Sequence, residues 1–154
     1  MTISGKEKTE VLVVSVGARA CALPLQDVGE TMRALPVESF AGMPSFVLGL
    51  SIIRGAPTPV VNLGALVGSP RGSHGRMVTL RSGERPFAIA VESVLGVRWL
   101  DRSLLQTSLA LFHECSSDLV EAIGTLDAKL LLLLRAGWVL PNEVWLALAN
   151  RESR

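Results

Sequence analysis

Side chains able to do chemistry are sparse in this sequence, and few stand where a reaction needs them. His113, Glu114 and Cys115 are consecutive and offer imidazole, carboxylate and thiolate, the donors that hold zinc. A metal takes three or four donors spread around it, and three neighbours on one chain crowd the ion. No HExxH, CxxC or second histidine cluster supplies the remainder. The other histidine, His74, lies in a Gly/Ser stretch. Cys21 would be a nucleophile only beside a base in an electropositive setting, and its apolar, strand-like surroundings predict a buried thiol instead. Glycines 72 and 75 lie between Arg71 and Arg76 and offer at most an anion nest within a connector. GxSxG, P-loop and GxGxxG patterns are absent. Asp101, Asp118 and Asp127 fall at turn-like positions, where Asp bonds its own backbone. No reaction is named by any of these sets, so neither enzymatic activity nor a metal or cofactor is expected.

The charge that asks for an explanation is Arg54. It stands in IIRGAPTPVVNL, residues 52–63, a β-branched apolar run. A charge there is costly unless it is paired or its head reaches water. Three readings are open. Arg54 sits at a strand end and snorkels, it pairs with a carboxylate at a structural joint, or it lines a groove and meets a partner. Glu30, just past a strand ending at Val28, is the carboxylate best placed to share a cleft with it.

The elements that would carry these residues are mostly strands. At 154 residues the chain suits one domain, and 49% apolar against 19% charged residues is too apolar for disorder. Fifteen basic residues nearly cancel fourteen acidic ones without a basic block, which argues against nucleic-acid binding. The first ten residues are polar and lack the apolar core of a signal peptide, so a cytoplasmic protein with reduced cysteines is expected. The most apolar run, 130–140, is broken by Arg135 and stopped by Pro141, too short to enter a bilayer.

Residues 1–9 read as a flexible lead, followed by a single domain over 10–154. EVLVVSV (10–16) and CALPLQDV (21–28) read as strands around a four-residue GARA turn. The design recurs: VLVVSVGARACALPLQDV (11–28) lies over MVTLRSGERPFAIAVESV (77–94) without a gap, Gly17 on Gly83 and Cys21 on Phe87. Between the copies, 40–50 suits one helical turn near Pro44 and Ser45. IIRG and PVVNLGALV read as strand segments, with Pro57 and Pro59 marking an edge, bulge or turn. Residues 68–76 form a Gly/Ser/Pro loop, 97–100 a strand, and 101–119 an irregular or partly helical stretch. Residues 120–134 read as two strands around a Leu126–Lys129 turn, and a helix begins at about Pro141. Short strands between Gly and Pro turns imply a mainly β barrel or sandwich.

ALPLQDVGETMR, then LP, then MPSFVLGLSIIRGAPTPVVNLGALVG resembles the CheW family, the coupling proteins of bacterial chemosensory systems. The resemblance rests on Leu25, Val28, Glu30, Leu35, Pro36, Pro44, Gly49, Arg54, Gly55, Pro59, Val60 and Leu63 in order and spacing. FAIAVESVLGV (87–97) and IGTLDAKLLLLL (123–134) extend it over roughly residues 10–140. Three positions depart from the family pattern: Ile52 stands for Asn, Asn62 for Asp, and Glu92 for Asp.

The resemblance implies two small SH3-like five-stranded β-barrels around a shared core, with a short C-terminal helix. It implies a non-catalytic adaptor for the regulatory domain of a CheA-type histidine kinase and the cytoplasmic tip of a chemoreceptor. A divergent module binding another signalling or motility protein is the alternative. The receptor/kinase groove it implies is made from Val28, Glu30, Ile52, Arg54, Gly55 and Phe87, with Val28, Glu30 and Arg54 lining its receptor-facing part between the lobes. Glu30 and Arg54 would either fix its shape as a pair or touch the partner directly. Gly55 would let backbones pass closely or simply make a turn, and Ile52 and Phe87 would add apolar contact or serve the core.

Overall fold

The computed structural model describes residues 8–69, 72–82, 85–106, 119–135 and 146. Among these described residues, ten strands make two five-stranded sheets with almost no helix. In chain order they are β1 (Lys8–Val16), β2 (Arg19–Pro24), β3 (Val28–Arg33), β4 (Val47–Ile53), β5 (Ala56–Asn62), β6 (Arg76–Ser82), β7 (Arg85–Val91), β8 (Ser93–Asp101), β9 (Val120–Leu126) and β10 (Lys129–Leu134). Lobe A has the order β8-β1-β2-β10-β9, and lobe B the order β3-β6-β7-β5-β4. Lobe B is therefore continuous in sequence, and lobe A is assembled from both sides of it.

The internal repeat holds pair by pair. Val14 faces Cys21 and Leu12 faces Leu23 in the first hairpin; 66 residues on, Leu80 faces Phe87 and Val78 faces Ile89. A second duplication, invisible as residue identity, joins the other two hairpins. Val47↔Val61 and Ile53↔Ala56 in lobe B become Val120↔Leu134 and Leu126↔Lys129 in lobe A, shifted by 73 (120 minus 47). In each lobe the second hairpin joins the first through a parallel pair, Val61 beside Ile89 and Leu132 beside Cys21. The strand after each first hairpin crosses over: β3 leaves lobe A to pair with β6, and β8 leaves lobe B to pair with β1.

Each sheet has two apolar faces, which is why its central strands are continuous apolar runs. Leu12, Val14, Cys21, Leu132 and Leu134 from lobe A meet Val61, Val78, Leu80, Phe87 and Ile89 from lobe B in one shared core. The alternate residues Val11, Val13, Ala22, Leu131 and Leu133 fill lobe A, and Ile53, Val60, Met77, Ala88 and Ala90 fill lobe B. Each sheet curls so that chain leaving one edge strand pairs with the other edge. Glu38, downstream of β3, exchanges backbone bonds with Leu50 of β4, and Gln106, downstream of β8, does so with Ile123 of β9. These are the SH3-like lobes around a common core that the resemblance implied.

Several local expectations are corrected. The first strand begins at Lys8, inside the expected lead, because Thr9 pairs with Leu100. The GARA turn is only Gly17–Ala18. The run 21–28 is interrupted by a 3-10 turn at Leu25–Asp27, where Pro24 ends the ladder and lets the chain change lobes. The helical turn expected near Pro44 is a single i→i+3 turn, the Val47 N–H donating to the Pro44 carbonyl at 3.0 Å, and it ends at once because β4 begins at Val47. Asn62 ends β5 and its side chain caps a helical turn, α1 (Leu63–Leu66), accepting from the Ala65 N–H at 3.3 Å. Pro57 and Pro59 lie where β5 has β4 alone as neighbour, since pairing with β7 begins at Val60. The expected C-terminal helix lies outside the described residues except for Leu146, which is helical and exposed.

Candidate functional site

The arginine that looked misplaced in a strand is at a hairpin tip. Ile53 and Ala56 form the closing pair between β4 and β5, and the loop is Arg54–Gly55 alone. Both residues have positive φ, 49° and 79°, the combination of a type I′ turn, whose twist matches that of the flanking strands. Its counterpart in lobe A is Asp127–Ala128, at 50° and 67°. The turn projects Arg54 into solvent, where its side chain is 80% exposed.

Glu30 reaches it because of a bulge. Val28 faces Leu80 and Thr31 faces Val78, so Gly29 and Glu30 together oppose Thr79. The extra residue re-aims the side chains of β3. The Thr79 hydroxyl accepts from the Glu30 N–H at 2.8 Å and lies 3.4 Å from the Glu30 carbonyl, to which it donates.

Glu30 then receives a two-pronged ion pair, Arg54 Nε to Oε1 and Nη2 to Oε2, both at 2.8 Å. The hydrogen bond from Arg54 holds the Glu30 carboxyl below its ordinary range against partial desolvation, with the arginine charge adding to the effect. The reciprocal bond raises Arg54 further above its usual value. β3 and β4 are the two edges of the lobe-B sheet, so the pair spans the seam where that sheet curls on itself. Ser51 adds a second tie across it, its hydroxyl donating to the Pro36 carbonyl at 2.7 Å.

Ile52, opposite Pro57 and one residue before the end of β4, is 63% exposed. It lines a groove of about 570 Å³ with Pro36, Val37, Glu38, Phe40, Leu50 and Pro57. An apolar trough therefore adjoins a fixed ion pair, which is the composition of a protein-docking surface: apolar contact for affinity and a few polar groups for orientation. Gly55 completes the turn; a Cβ there would meet nothing within 4 Å, so its role is conformational and no backbone passes close to it. Val28 is half-buried and packs on the shared core at the foot of the bulge.

Phe87 is withdrawn from the groove. It is fully buried, opposite Leu80 in the shared core, because alternation along β7 turns it to the inter-lobe face. Phe87 therefore has no surface to offer a partner.

Sequence reasoning missed Gly29 and Thr79, and a second surface on β8. Leu95, Val97 and Trp99 are exposed there, Trp99 by 66%. The 66-residue offset, applied to β3 and β8, sets Val97 over Thr31 and Trp99 over Arg33, so lobe A is apolar where lobe B is polar. Trp99 borders a groove of about 680 Å³ with Pro24, Leu25 and Arg102, the last held by the Thr9 hydroxyl and Glu121. Among the described residues no three of His, Cys, Asp or Glu gather as metal ligands, and residues 113–115 lie outside them. No helix among the described residues is long and apolar enough to cross a membrane.

The family model described as CheW-like domain matches residues 10–143, nearly the whole chain. Among solved structures, the crystal structure of the scaffolding protein TtCheW from Thermoanaerobacter tengcongensis is similar, with a TM-score of 0.72 and 18% identity. The match covers 86% of this chain and 97% of that one, and it carries the fold alone. The search of curated proteins gives no match. The family match spans both lobes, the crossed strands and the Glu30–Arg54 seam, and on that ground the chain belongs to the CheW-like domain family, as a non-catalytic scaffold domain.

Proposed function

We propose that this protein is a cytoplasmic adaptor that couples chemoreceptors to a CheA-type histidine kinase. The observation that carries this reading is the exposed, two-pronged Glu30–Arg54 pair beside the apolar groove of Ile52, Leu50 and Pro57, on a CheW-like fold. An adaptor holds two partners at once and needs two surfaces. The groove on lobe B and the Leu95–Val97–Trp99 face on lobe A meet that requirement, each with exposed apolar side chains. The partners in this reading are the regulatory domain of the kinase and the cytoplasmic tip of the receptor.

A second reading keeps the scaffold and changes the partner. Ile52, exposed where the family pattern has Asn, favours a more apolar partner surface, such as that of another signalling or motility protein.

Titration calorimetry with the kinase regulatory domain from the same genome, wild type beside Glu30→Gln, tests the first reading. Binding at micromolar concentration, weakened by the substitution, is expected. A wild type that binds neither kinase nor receptor tip overturns the coupling reading and leaves the second, which a pull-down then addresses.

A further inference from the structure

We propose that Thr79 is a positioning residue for the Glu30–Arg54 pair, with Gly29 present to make room for its hydroxyl. Four observations converge on this. Thr79 is the single residue opposite the two-residue bulge of Gly29 and Glu30. Its hydroxyl bonds the Glu30 N–H at 2.8 Å and sits 3.4 Å from the Glu30 carbonyl, gripping both polar backbone groups of the residue whose carboxylate must meet Arg54. A Cβ at position 29 would stand 2.5 Å from that hydroxyl oxygen, closer than real Cβ contacts come. Gly29 does not have positive φ, so backbone strain does not demand a glycine there, and the hydroxyl is what the missing side chain accommodates.

The physical logic is one of aim. Moving the bulge by one residue would turn the Glu30 side chain to the opposite face of the sheet. A carboxylate that takes two bonds from one guanidinium has little angular tolerance. The Thr79 hydroxyl pins the bulge at Glu30 and so keeps the carboxylate on the Arg54 side of the seam. Valine at position 79 has the same shape and strand preference without the hydroxyl, whereas serine keeps the hydroxyl.

The importance of this device for partner binding rests on the function proposed above; its effect on the pair does not. The test is the side-chain Nε–H resonance of Arg54 in a ¹H–¹⁵N spectrum, assigned by its loss in Arg54→Lys, with the Glu30 carboxyl titration followed by ¹³C NMR. In Thr79→Val the Nε–H resonance is expected to move to the position it has in Glu30→Gln, and the Glu30 midpoint to rise to that of an unpaired carboxylate. Thr79→Ser restores both. Gly29→Ala displaces the same hydroxyl and repeats the effect, which keeps the test open if Thr79→Val folds poorly. A folded Thr79→Val with an unmoved Nε–H resonance and midpoint overturns the proposal. A moved resonance with unchanged affinity for the kinase regulatory domain upholds the positioning and counts instead against the pair's part in binding.

Discussion

Exchanging alanine and glycine between the two equivalent turns gives a test with a sign at each end. In lobe B the second turn residue is Gly55 at φ 79°; in lobe A it is Ala128 at φ 67°. A residue with a Cβ in this left-handed region costs roughly 1–2 kcal/mol. A glycine there gives back about 0.4–1 kcal/mol through the larger entropy of the unfolded chain. An added Cβ at Gly55 meets no atom within 4 Å, so the backbone term stands alone. Gly55→Ala should therefore lose about 1 kcal/mol, and Ala128→Gly should gain about the same. For a chain of this size that is a change in Tm of about 3 °C in opposite directions. Because the turns lie in different lobes, the double variant should return close to wild type.

The assay is urea or thermal unfolding of the four proteins, with kinase-domain binding measured alongside. Ala128 holds the equivalent turn with a Cβ, so Gly55→Ala should keep Arg54 on Glu30, and neither substitution should change affinity. If Gly55→Ala costs nothing or Ala128→Gly gives no gain, the two hairpins do not share a strained turn and the argument from φ fails.

Glu30→Gln should leave the unfolding midpoint nearly unchanged, because the pair is largely in solvent, yet weaken partner binding; a large loss of stability would show the pair to be chiefly structural. The folded-state pKa of Glu30 is depressed, so its contribution is complete above the unfolded-state pKa and disappears as pH falls through the lower folded value. Binding should accordingly be flat near neutral pH and fall on the acid side, and Glu30→Gln should remove that part of the profile in a calorimetric pH series. Phe87→Ala should cost about 3–5 kcal/mol in denaturant melts, and both lobes should unfold in one transition because the residue lies in their common core. Trp99→Ala should hold the wild-type melting temperature while weakening one partner; reduced stability would mean that the indole packs on its own lobe.

Which parts of this were readable in advance follows from what each residue answers to. The first repeat was legible because strands buried on both faces must be apolar at every position, leaving a string that can be laid over its copy. The second repeat was not. IRGA (53–56) and LDAK (126–129) have no residue in common at the same position and are equivalent through register and turn geometry, so the Arg54–Gly55 and Asp127–Ala128 tips match in backbone conformation and not in residue type. Pairing between Glu30 and Arg54 was legible as one of three options, since a charge in an apolar run needs a partner or water. The bulge that aims Glu30 was not, because its fastener is Thr79, far away in sequence and ordinary in type. Phe87 was left between groove and core for a related reason: alternation reveals that a side faces an apolar layer, and two such layers flank every central strand here. Asn62 departs from the family pattern, yet its side-chain oxygen serves as a helix cap, as an aspartate's would.

The interruption of lobe A by lobe B orders events during synthesis. β3 to β7 emerge in succession and find their neighbours among themselves, so lobe B can close while the ribosome is still working. The β1–β2 hairpin emerges first and completes last. Val11 waits for Arg98, and Ala22 waits for Leu133. Closing those long loops is slow, and in the interval a hairpin with two apolar faces has no sheet to join. The β1–β2 hairpin is thus the segment of this domain most exposed to aggregation, until the arrival of β10 against β2 seals lobe A and the common core together.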